Sequence, residues 1–286
     1  MATACLIGCG APSNSIVQVK GSDTEVNLAL ALAEKFMENN AAASIAVTGG
    51  GSGVGIAALV NGKTHIANSS RPMKKDEIEH AKKSGVNPYP IIFAVDGLGI
   101  IVHPSNPVDS INFEQLSGIF RGEITNWKQL GGKDMPISTY GRQSNSGTFV
   151  FFRDFVVKGD YSTNVKAMNG TSQIVEAIKT DQAGIGYVGV GHMMKDGKMK
   201  EGMKALKVKN DSLNTYITPS TETIISGNYP LTRPLFQITN GKPQGTILKF
   251  IQFELSPEGQ KMVLEGGYFP ITTEQREYNR QLGIVP

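Results

Sequence analysis

Cysteine is almost absent from this chain of 286 residues, and its two cysteines, Cys5 and Cys9, both lie in the first ten positions. The remaining sequence therefore offers neither an internal disulfide nor a thiolate metal site. The histidines are scattered, and no two of them have the spacing of a metal-binding pair: His65, His80, His103 and His192. We expect no metal site and no cofactor.

Long apolar runs and blocks of one charge are also missing. No run of 18 apolar residues occurs, so the sequence predicts no membrane-spanning helix. The chain carries 28 Lys and Arg against 25 Asp and Glu, a net charge of +3, without a basic block or interleaved aromatic residues. Nucleic acid is therefore excluded as an expected partner. A length of 286 residues exceeds the usual size of one hydrophobic core and predicts two lobes.

The first fifteen residues are predicted to form a leader and a tether. Leu6-Ile7-Gly8-Cys9 resembles a bacterial lipobox, in which the cysteine is lipidated and becomes the mature N-terminus. Residues 1–4 supply neither the positive start nor the long apolar region of a signal peptide, so a leader with two chance cysteines is the alternative. With a lipidated Cys9, the protein would work outside the cytoplasmic membrane, attached to its surface.

Predicted strands and helices alternate along the chain, as in α/β proteins with a mostly parallel sheet. Strands are predicted at residues 16–19, 44–48, 66–68, 91–95, 98–102, 137–140, 183–188, 205–208 and 234–239. Helices are predicted at residues 24–38, 56–60, 74–83, 113–120, 174–180 and 246–264, the last interrupted near Ser256-Pro257. Asp96-Gly97 is predicted to separate two buried strands.

Three turns combine glycine with hydroxyl side chains, and each follows a predicted strand and opens a predicted helix. A helix N-terminus presents unpaired N–H groups and partial positive charge, to which hydroxyls and arginine add donors for an anion. The turns supply Ser22, Asp23 and Thr24, then Ser52, then Arg142, Ser146, Gly147 and Thr148, and a fourth polar turn supplies Ser70 and Arg71. Because open α/β sheets bind ligands at such strand ends, the sequence predicts a site for a small tetrahedral oxyanion. For the turn at residues 142–148, an ordinary Ser or Thr helix cap is the alternative.

Enzyme chemistry is not predicted. Gly62-Lys63-Thr64 imitates the end of a P-loop, but Ala57 stands where the first glycine is required. Val54 replaces the second glycine of a nucleophile elbow around Ser52. No motif supplies a base or metal ligands for a serine nucleophile. We therefore predict a binding protein, with a phosphoryl hydrolase that uses Ser52 or Ser146 as the rival interpretation.

At this point the motifs resemble those of the phosphate-binding proteins of ABC phosphate importers, members of the two-lobed periplasmic-type binding-protein superfamily. The resemblance extends over residues 17–270. Its landmarks are Gly21-Ser-Asp-Thr24, Thr48-Gly-Gly-Gly-Ser-Gly-Val-Gly55, Ile66-Ala-Asn-Ser-Ser-Arg-Pro72, Arg142–Thr148 and Gly266-Gly-Tyr-Phe-Pro270. It implies that phosphate is held by the residues that match the family's ligand contacts: Thr24, Ser52, Arg142, Ser146, Gly147 and Thr148.

The chain departs from the family at one position of this site. The best-known members carry an aspartate that accepts a hydrogen bond from the protonated phosphate, and here Ser70 takes that position. An ionised carboxylate only accepts hydrogen bonds, so it favours protonated phosphate over sulfate. We predict that Asp23 replaces this acceptor, with Asp96 as the second candidate and Arg71 as an additional cation. An N-cap of the first helix is the alternative role of Asp23.

The resemblance implies a type II periplasmic-binding-protein fold, in which each lobe is a mostly parallel sheet flanked by helices and the ligand cleft lies between the lobes. Lobe 1 is predicted at residues 16–95 plus 232–286, and lobe 2 at residues 96–231. The expected function is capture of inorganic phosphate outside the cytoplasm and delivery to the membrane permease of an ABC importer, by a monomer without catalytic activity. A receptor of the same fold for sulfate or molybdate is the alternative.

Overall fold

The computed structural model describes residues 16–195 and 198–285, so the predicted leader with Cys9 lies outside the described part of the chain. The strands are β1 Val17–Gly21, β2 Ile45–Thr48, β3 Ile66–Ser69, β4 Pro88–Val102, β5 Ser110–Ile111, β6 Ser138–Arg142, β7 Lys166–Met168, β8 Gly184–Gly189, β9 Met194–Lys195, β10 Lys198–Met199, β11 Lys204–Ala205, β12 Lys207–Asn210, β13 Thr215–Ile217 and β14 Thr232–Asn240. The helices are α1 Val26–Asn39, α2 Ser52–Val60, α3 Lys75–Lys83, α4 Phe113–Arg121, α5 Gly147–Phe152, α6 Thr171–Thr180, α7 Val190–Met193, α8 Thr221–Ile225, α9 Gly245–Glu254, α10 Pro257–Glu265 and α11 Thr273–Gln281. A 3₁₀ turn spans Trp127–Leu130, and a π turn at Arg153–Val157 continues α5. The predicted alternation of strands and helices is confirmed.

The main sheet has the strand order β2-β1-β3-β14-β4-β8-β6-β7, and β11 pairs with β4. Strands β1, β2 and β3 are parallel to one another, as are β6, β7 and β8. Strand β14 runs antiparallel to both β3 and β4, and β4 runs antiparallel to β8. The prediction of a mostly parallel sheet is therefore right for the outer strands of each half, while the central strands make the sheet mixed.

Strand β4 is a single strand of 15 residues, so the predicted break at Asp96-Gly97 is wrong. Both residues stay in the ladder, because Asp96 pairs with Arg233 and Gly97 pairs with Thr232 of β14. Gly97 serves packing instead of a turn: a Cβ there would lie 2.5 Å from the Ile224 side chain. The pair β4 and β14 thereby runs from one half of the molecule into the other, with one register shift between Leu235 and Phe236.

The buried apolar residues form separate cores on the two sides of this crossing. One core contains residues from Val95 to Leu231, together with Phe269. The others contain residues up to Ala94 and from Leu235 onward. This grouping supports the predicted division into lobe 1 at residues 16–95 plus 232–286 and lobe 2 at residues 96–231, which we retain as a proposal.

A buried carboxyl in lobe 1 makes stability depend on pH. Glu254 of α9 is fully buried and accepts a hydrogen bond from Gln237 Nε2 at 3.0 Å. Burial raises the pKa of Glu254 well above its usual value, and nearby Glu25 raises it further. The folded state therefore holds a proton that the unfolded chain releases near pH 4.3, roughly the ordinary value for glutamate. Stability from this proton is complete below the unfolded pKa and is lost as pH rises toward the folded pKa.

We predict that Glu254→Gln, which keeps the shape without the acid, flattens this dependence. Between about pH 5 and about pH 7, the free energy of unfolding of the wild type should fall with pH by up to about 1.4 kcal/mol per unit more than that of the variant. Urea unfolding across this interval measures the slopes. Glu34→Gln, on the exposed face of α1, is the control and should leave the slope unchanged. Identical slopes for the wild type and Glu254→Gln would contradict the prediction.

Candidate functional site

The predicted turns lie at the carboxyl ends of neighbouring parallel strands, where the two lobes face each other. In lobe 1, β1 ends at Gly21 and β3 ends at Ser69, and α2 begins at Ser52. In lobe 2, β6 ends at Arg142 and α5 begins at Gly147. Within each lobe, parallel strands direct their carboxyl ends to the same edge. The turns of the two lobes then meet where Thr24 of lobe 1 contacts Thr148 of lobe 2.

Five hydroxyl groups from these turns gather in a buried cluster. Thr24 Oγ1 of lobe 1 lies 2.8 Å from Thr148 Oγ1 of lobe 2. Ser22 Oγ donates to Ser70 Oγ at 3.1 Å, and Ser52 Oγ lies 3.4 Å from Ser70 Oγ. Each of these residues exposes at most 3% of its surface. The structure thus brings together hydroxyls that the sequence places in four separate turns, and we call them the hydroxyl cluster: Ser22, Thr24, Ser52, Ser70 and Thr148.

The backbone of Gly147 packs closely against two hydroxyls of this cluster, those of Ser52 and Ser70. A Cβ at Gly147 would lie 2.3 Å from Ser52 Oγ and 2.6 Å from Ser70 Oγ, so only glycine fits at this approach of the lobes. Ser146 caps α5, and its Oγ accepts from Thr148 N at 3.2 Å and Phe149 N at 3.4 Å. The alternative of a helix cap is therefore right for Ser146. A capping hydroxyl still has its own proton, which remains available for an acceptor.

Arg142 connects the lobes through a carboxylate. Its Nη2 lies 2.5 Å from Asp23 Oδ2 and 2.9 Å from the Asn169 carbonyl oxygen, and its Nη1 donates to Thr171 Oγ1 at 2.8 Å. Its Nε donates to the Met168 carbonyl oxygen at 3.3 Å. All three nitrogens of the guanidinium therefore have partners within the protein.

Asp23 does not cap α1. The N-cap position is Glu25, and no side chain caps this helix end. Asp23 Oδ1 instead accepts from Gly50 N at 2.7 Å, while its Oδ2 accepts from Arg142. The alternative role of Asp23 as an N-cap is wrong. Its proposed role as the acceptor for a phosphate proton stays a prediction, and both of its oxygens already have donors.

The glycine-rich loop before α2 contacts the opposite lobe directly. Gly53 N donates to the Asn145 carbonyl oxygen at 2.9 Å, and Asn145 Nδ2 donates to the Gly50 carbonyl oxygen at 3.3 Å. Gly50 and Gly51 adopt φ values of 120° and 96°, which side-chain-bearing residues rarely tolerate. The loop therefore needs glycine for its path as well as for its approach to Asn145.

Arg71 is held by a partner on α3. Its two terminal nitrogens each donate to one oxygen of Glu77 at 2.7 Å, a bidentate arrangement. Burial tends to raise the pKa of Glu77, but hydrogen bonds from Arg71 and from the Lys74 backbone outweigh it and lower the pKa. Arg71 lies beside the hydroxyl cluster through its neighbour Ser70, with its charge largely matched by Glu77.

A third arginine, which the sequence did not reveal as a site residue, contacts the hydroxyl cluster directly. Arg233 Nη2 lies 3.0 Å from Thr148 Oγ1 and 3.3 Å from Thr24 Oγ1. Its Nη2 and Nε also donate to Asp96 Oδ2 at 2.8 and 3.1 Å. Burial raises the pKa of Asp96 while Arg233 opposes that shift. A charged residue next to a predicted buried strand, at residues 234–239, is the sequence feature that could have indicated Arg233.

Ser52 and Ser146, the nucleophiles of the rival hydrolase interpretation, have backbone N–H groups and a hydroxyl as their hydrogen-bond partners. Within residues 16–195 and 198–285, neither Ser52 nor Ser146 has a hydrogen bond to an imidazole or a carboxylate. The described residues contain no group of three or more His, Cys, Asp or Glu side chains that could hold a metal ion. In the same part of the chain, helices are too short or too polar to cross a bilayer.

Comparison with known proteins adds an independent finding. A family model described as a PBP superfamily domain matches residues 10–258. The phosphate-binding protein PstS of Borreliella burgdorferi is 31% identical over 283 residues, covering 96% of this chain and 96% of that protein. The protein SphX of Synechococcus elongatus is 30% identical over 267 residues, covering 90% of this chain and 78% of that protein.

Solved structures agree with these relatives. A putative phosphate ABC transporter substrate-binding protein from Clostridium perfringens, with bound phosphate, is 28% identical and superposes with a TM-score of 0.80 over 90% of this chain and 100% of that chain. An ABC-type phosphate transport receptor from Vibrio cholerae is also 28% identical, with a TM-score of 0.71 and the same coverage. The predicted two-lobed α/β fold is confirmed.

Proposed function

The chain belongs to the PBP superfamily, among the substrate-binding proteins of phosphate ABC importers, and on that premise we propose that its interlobe cleft captures inorganic phosphate for delivery to a membrane permease. The observation that carries this proposal is the hydroxyl cluster, which gathers buried donors from both lobes at the carboxyl ends of β1, β3 and β6. Hydroxyls and helix N-termini bind an oxyanion without a large net positive charge. The net charge of +3 fits this mode of binding.

The proposed ligands are the residues predicted from the sequence, and the directions of their hydrogen bonds support them. Ser52 Oγ accepts from Ser70 N at 3.1 Å, and Ser146 Oγ accepts from two N–H groups at the start of α5. A hydroxyl that already accepts from the protein still has its proton to donate. Gly147 adds a backbone N–H group at the N-terminus of α5 and Thr148 adds its hydroxyl, since the Thr148 N–H already donates to Ser146 Oγ.

We propose that the contacts between the lobes form as the cleft closes over phosphate. Asp23 with Arg142 and Gly53 with Asn145 each link lobe 1 to lobe 2. Hinge closure of this kind gives a permease a distinct ligand-bound shape to recognise. Strands β4 and β14, which run through both lobes, are the proposed hinge.

We place the protein outside the cytoplasmic membrane, as a monomer that meets the permease there. Attachment to the membrane through a lipidated Cys9 remains part of the proposal, because the lipobox-like Leu6-Ile7-Gly8-Cys9 supports it. Catalysis is not part of the proposal, since substrate-binding proteins of this family hand on an unchanged ligand.

Ser70 favours a second candidate ligand, sulfate, beside phosphate. Ser70 stands where an acceptor for a phosphate proton is expected, and its hydroxyl is fully buried among Ser22 and Ser52. A hydroxyl can both donate and accept, so it tolerates a protonated or an unprotonated ligand oxygen. The site should therefore discriminate against sulfate less strongly than a site with an ionised carboxylate would.

Titration calorimetry tests the proposed function. We expect saturable binding of one phosphate per chain. Sulfate should bind more weakly by only roughly 10- to 100-fold, because hydroxyl groups can reorient to suit a ligand oxygen that carries no proton. Molybdate and a phosphomonoester are titrated in parallel. Tight binding of sulfate or molybdate without binding of phosphate would show that the other oxyanion is the ligand and would contradict the proposal. Turnover of the phosphomonoester that is lost in Ser146→Ala would instead favour the hydrolase.

A further inference from the structure

Arg233 occupies the point at which the two lobes share strands. It is the second residue of β14 and pairs across the sheet with Asp96 of β4, so its backbone belongs to the proposed hinge. Arg233 exposes 3% of its surface, and Asp96 exposes none. Its guanidinium carbon lies 5.2 Å from the centroid of the Phe151 ring, the geometry of a cation–π contact. A charged group this deep in a protein needs partners to offset its desolvation.

The partners of Arg233 leave one of its terminal nitrogens unused. Nε and Nη2 donate to Asp96, and Nη2 also contacts the cluster hydroxyls. Nη1 is buried and has no hydrogen-bond partner in residues 16–195 and 198–285. The other arginines of the site differ at their terminal nitrogens: those of Arg71 and of Arg142 all donate to protein groups, and the unpartnered nitrogen of Arg71 is its Nε. A buried, unpartnered guanidinium nitrogen is costly unless an acceptor reaches it.

Arg233 also determines which way two hydroxyl protons can point. Its Nη2 lies within hydrogen-bond distance of Thr24 Oγ1 and Thr148 Oγ1, one from each lobe. The two hydroxyls also hydrogen-bond to each other at 2.8 Å, so one of their two protons is used between them. Because lone pairs that accept from Arg233 cannot accept from a ligand, the remaining hydroxyl proton is left to be donated. This end of the cleft therefore offers a cation and one hydroxyl donor to the same ligand, which is the chemistry that suits an unprotonated anionic oxygen.

We propose that Arg233 binds the oxyanion directly through Nη1 and adds a second positive charge to the site beside Arg142, which also links the lobes through Asp23. The inference rests on the proposed function, because it assigns a ligand to the same cleft. Asp96 is then a positioning residue, since it holds Nε and Nη2 so that Nη1 remains free. Beside Thr24 and Thr148, the site consequently recognises the negative charge of the oxyanion through Arg233. At Ser22, Ser52 and Ser70, hydroxyl groups recognise the ligand oxygens.

Removing Arg233 alone would leave Asp96 as an unpaired buried charge and could unfold the protein. The main test is therefore the double variant Asp96→Asn with Arg233→Gln, in which two neutral side chains can still hydrogen-bond. Arg233→Lys is the second variant, because it keeps the charge on a narrower head group. Arg280→Gln, an exposed arginine of α11 that pairs with Glu277, is the matched control for loss of one guanidinium.

Calorimetry with inorganic phosphate should give a Kd at least about tenfold higher for the double variant than for the wild type, with Arg233→Lys between them. Arg280→Gln should bind as the wild type does. Thermal unfolding of each protein shows that it is folded. In the arginine side-chain NMR spectrum, the Arg233 signal, identified by its loss in Arg233→Lys, should shift as phosphate is added, which a purely structural ion pair would not require.

Three results would overturn the inference. A folded double variant with wild-type phosphate affinity would reduce Arg233 to a structural partner of Asp96. If the double variant does not fold, wild-type affinity in Arg233→Lys together with an unmoved Arg233 signal would have the same meaning. A wild-type protein that binds no phosphate would overturn the proposed function along with the inference, so the two failures are distinguishable.

Discussion

Gly147→Ala should weaken phosphate binding by about 100-fold while the protein stays folded. A methyl group at this position would enter the space within 2.3 Å of Ser52 Oγ and 2.6 Å of Ser70 Oγ, groups that belong to the opposite lobe. Neither serine can retreat freely, because Ser52 Oγ accepts from Ser70 N inside a fully buried contact. In the proposed hinge motion, this overlap arises only as the lobes close, so the methyl group should oppose closure and not folding.

Titration calorimetry measures the loss of affinity, and thermal unfolding without ligand shows whether the fold persists. Gly170→Ala is the matched control, since it adds a methyl group at the N-cap of α6, another helix start of lobe 2, where the added Cβ would meet no atom within 4 Å. The control should bind phosphate with wild-type affinity. Near wild-type affinity in Gly147→Ala would show that phosphate binding does not need the close contact of α5 with Ser52 and Ser70.

The parts of the fold that were predictable from the sequence are those set by local pattern. The alternation of strands and helices follows from apolar periodicity, and the cap at Ser256 follows from its hydroxyl ahead of Pro257. The continuity of β4 was not predictable in this way. Asp96-Gly97 has the composition of a turn, and it remains extended only because β14 pairs with it from more than 130 residues away.

In the candidate site, too, local motifs were predictable from the sequence and tertiary contacts were not. The hydroxyl turns were recognisable because a glycine and a Ser or Thr beside a helix start form a local motif, and the structure brings their hydroxyls into contact. The partners of Arg142 and Arg233 were not recognisable, because each is brought close by tertiary contact. Arg142 pairs with Asp23 across 119 positions, and Arg233 reaches Thr24 across 209 positions. The partners of charged residues in a buried cleft therefore have to be assigned from the structure.

Asp23→Asn should weaken phosphate and sulfate binding by the same factor, roughly 30- to 100-fold, and leave the ratio of the two affinities unchanged. Both Asp23 oxygens are engaged, one by Gly50 N at 2.7 Å and the other by Arg142 Nη2 at 2.5 Å. The amide of asparagine can accept through only one atom, so it loses one of these contacts and leaves Arg142 without a carboxylate. The lost interaction joins the lobes, so the closed state loses stability whichever oxyanion is inside.

The sequence-based hypothesis for Asp23 makes the opposite prediction for the ratio. If Asp23 accepted the phosphate proton, Asp23→Asn would lower phosphate affinity while sulfate, which has no such proton, lost nothing. Stopped-flow measurement separates the two further, because loss of an interlobe contact should appear mainly as faster ligand release. Asp134→Asn, whose exposed carboxylate pairs with Lys128, is the control and should release phosphate at the wild-type rate. A changed ratio of phosphate affinity to sulfate affinity in Asp23→Asn would show that Asp23 accepts the phosphate proton. An equal loss for both ligands would show that Asp23 acts in closure of the lobes, and the hydroxyls around Ser70 would then accept the phosphate proton.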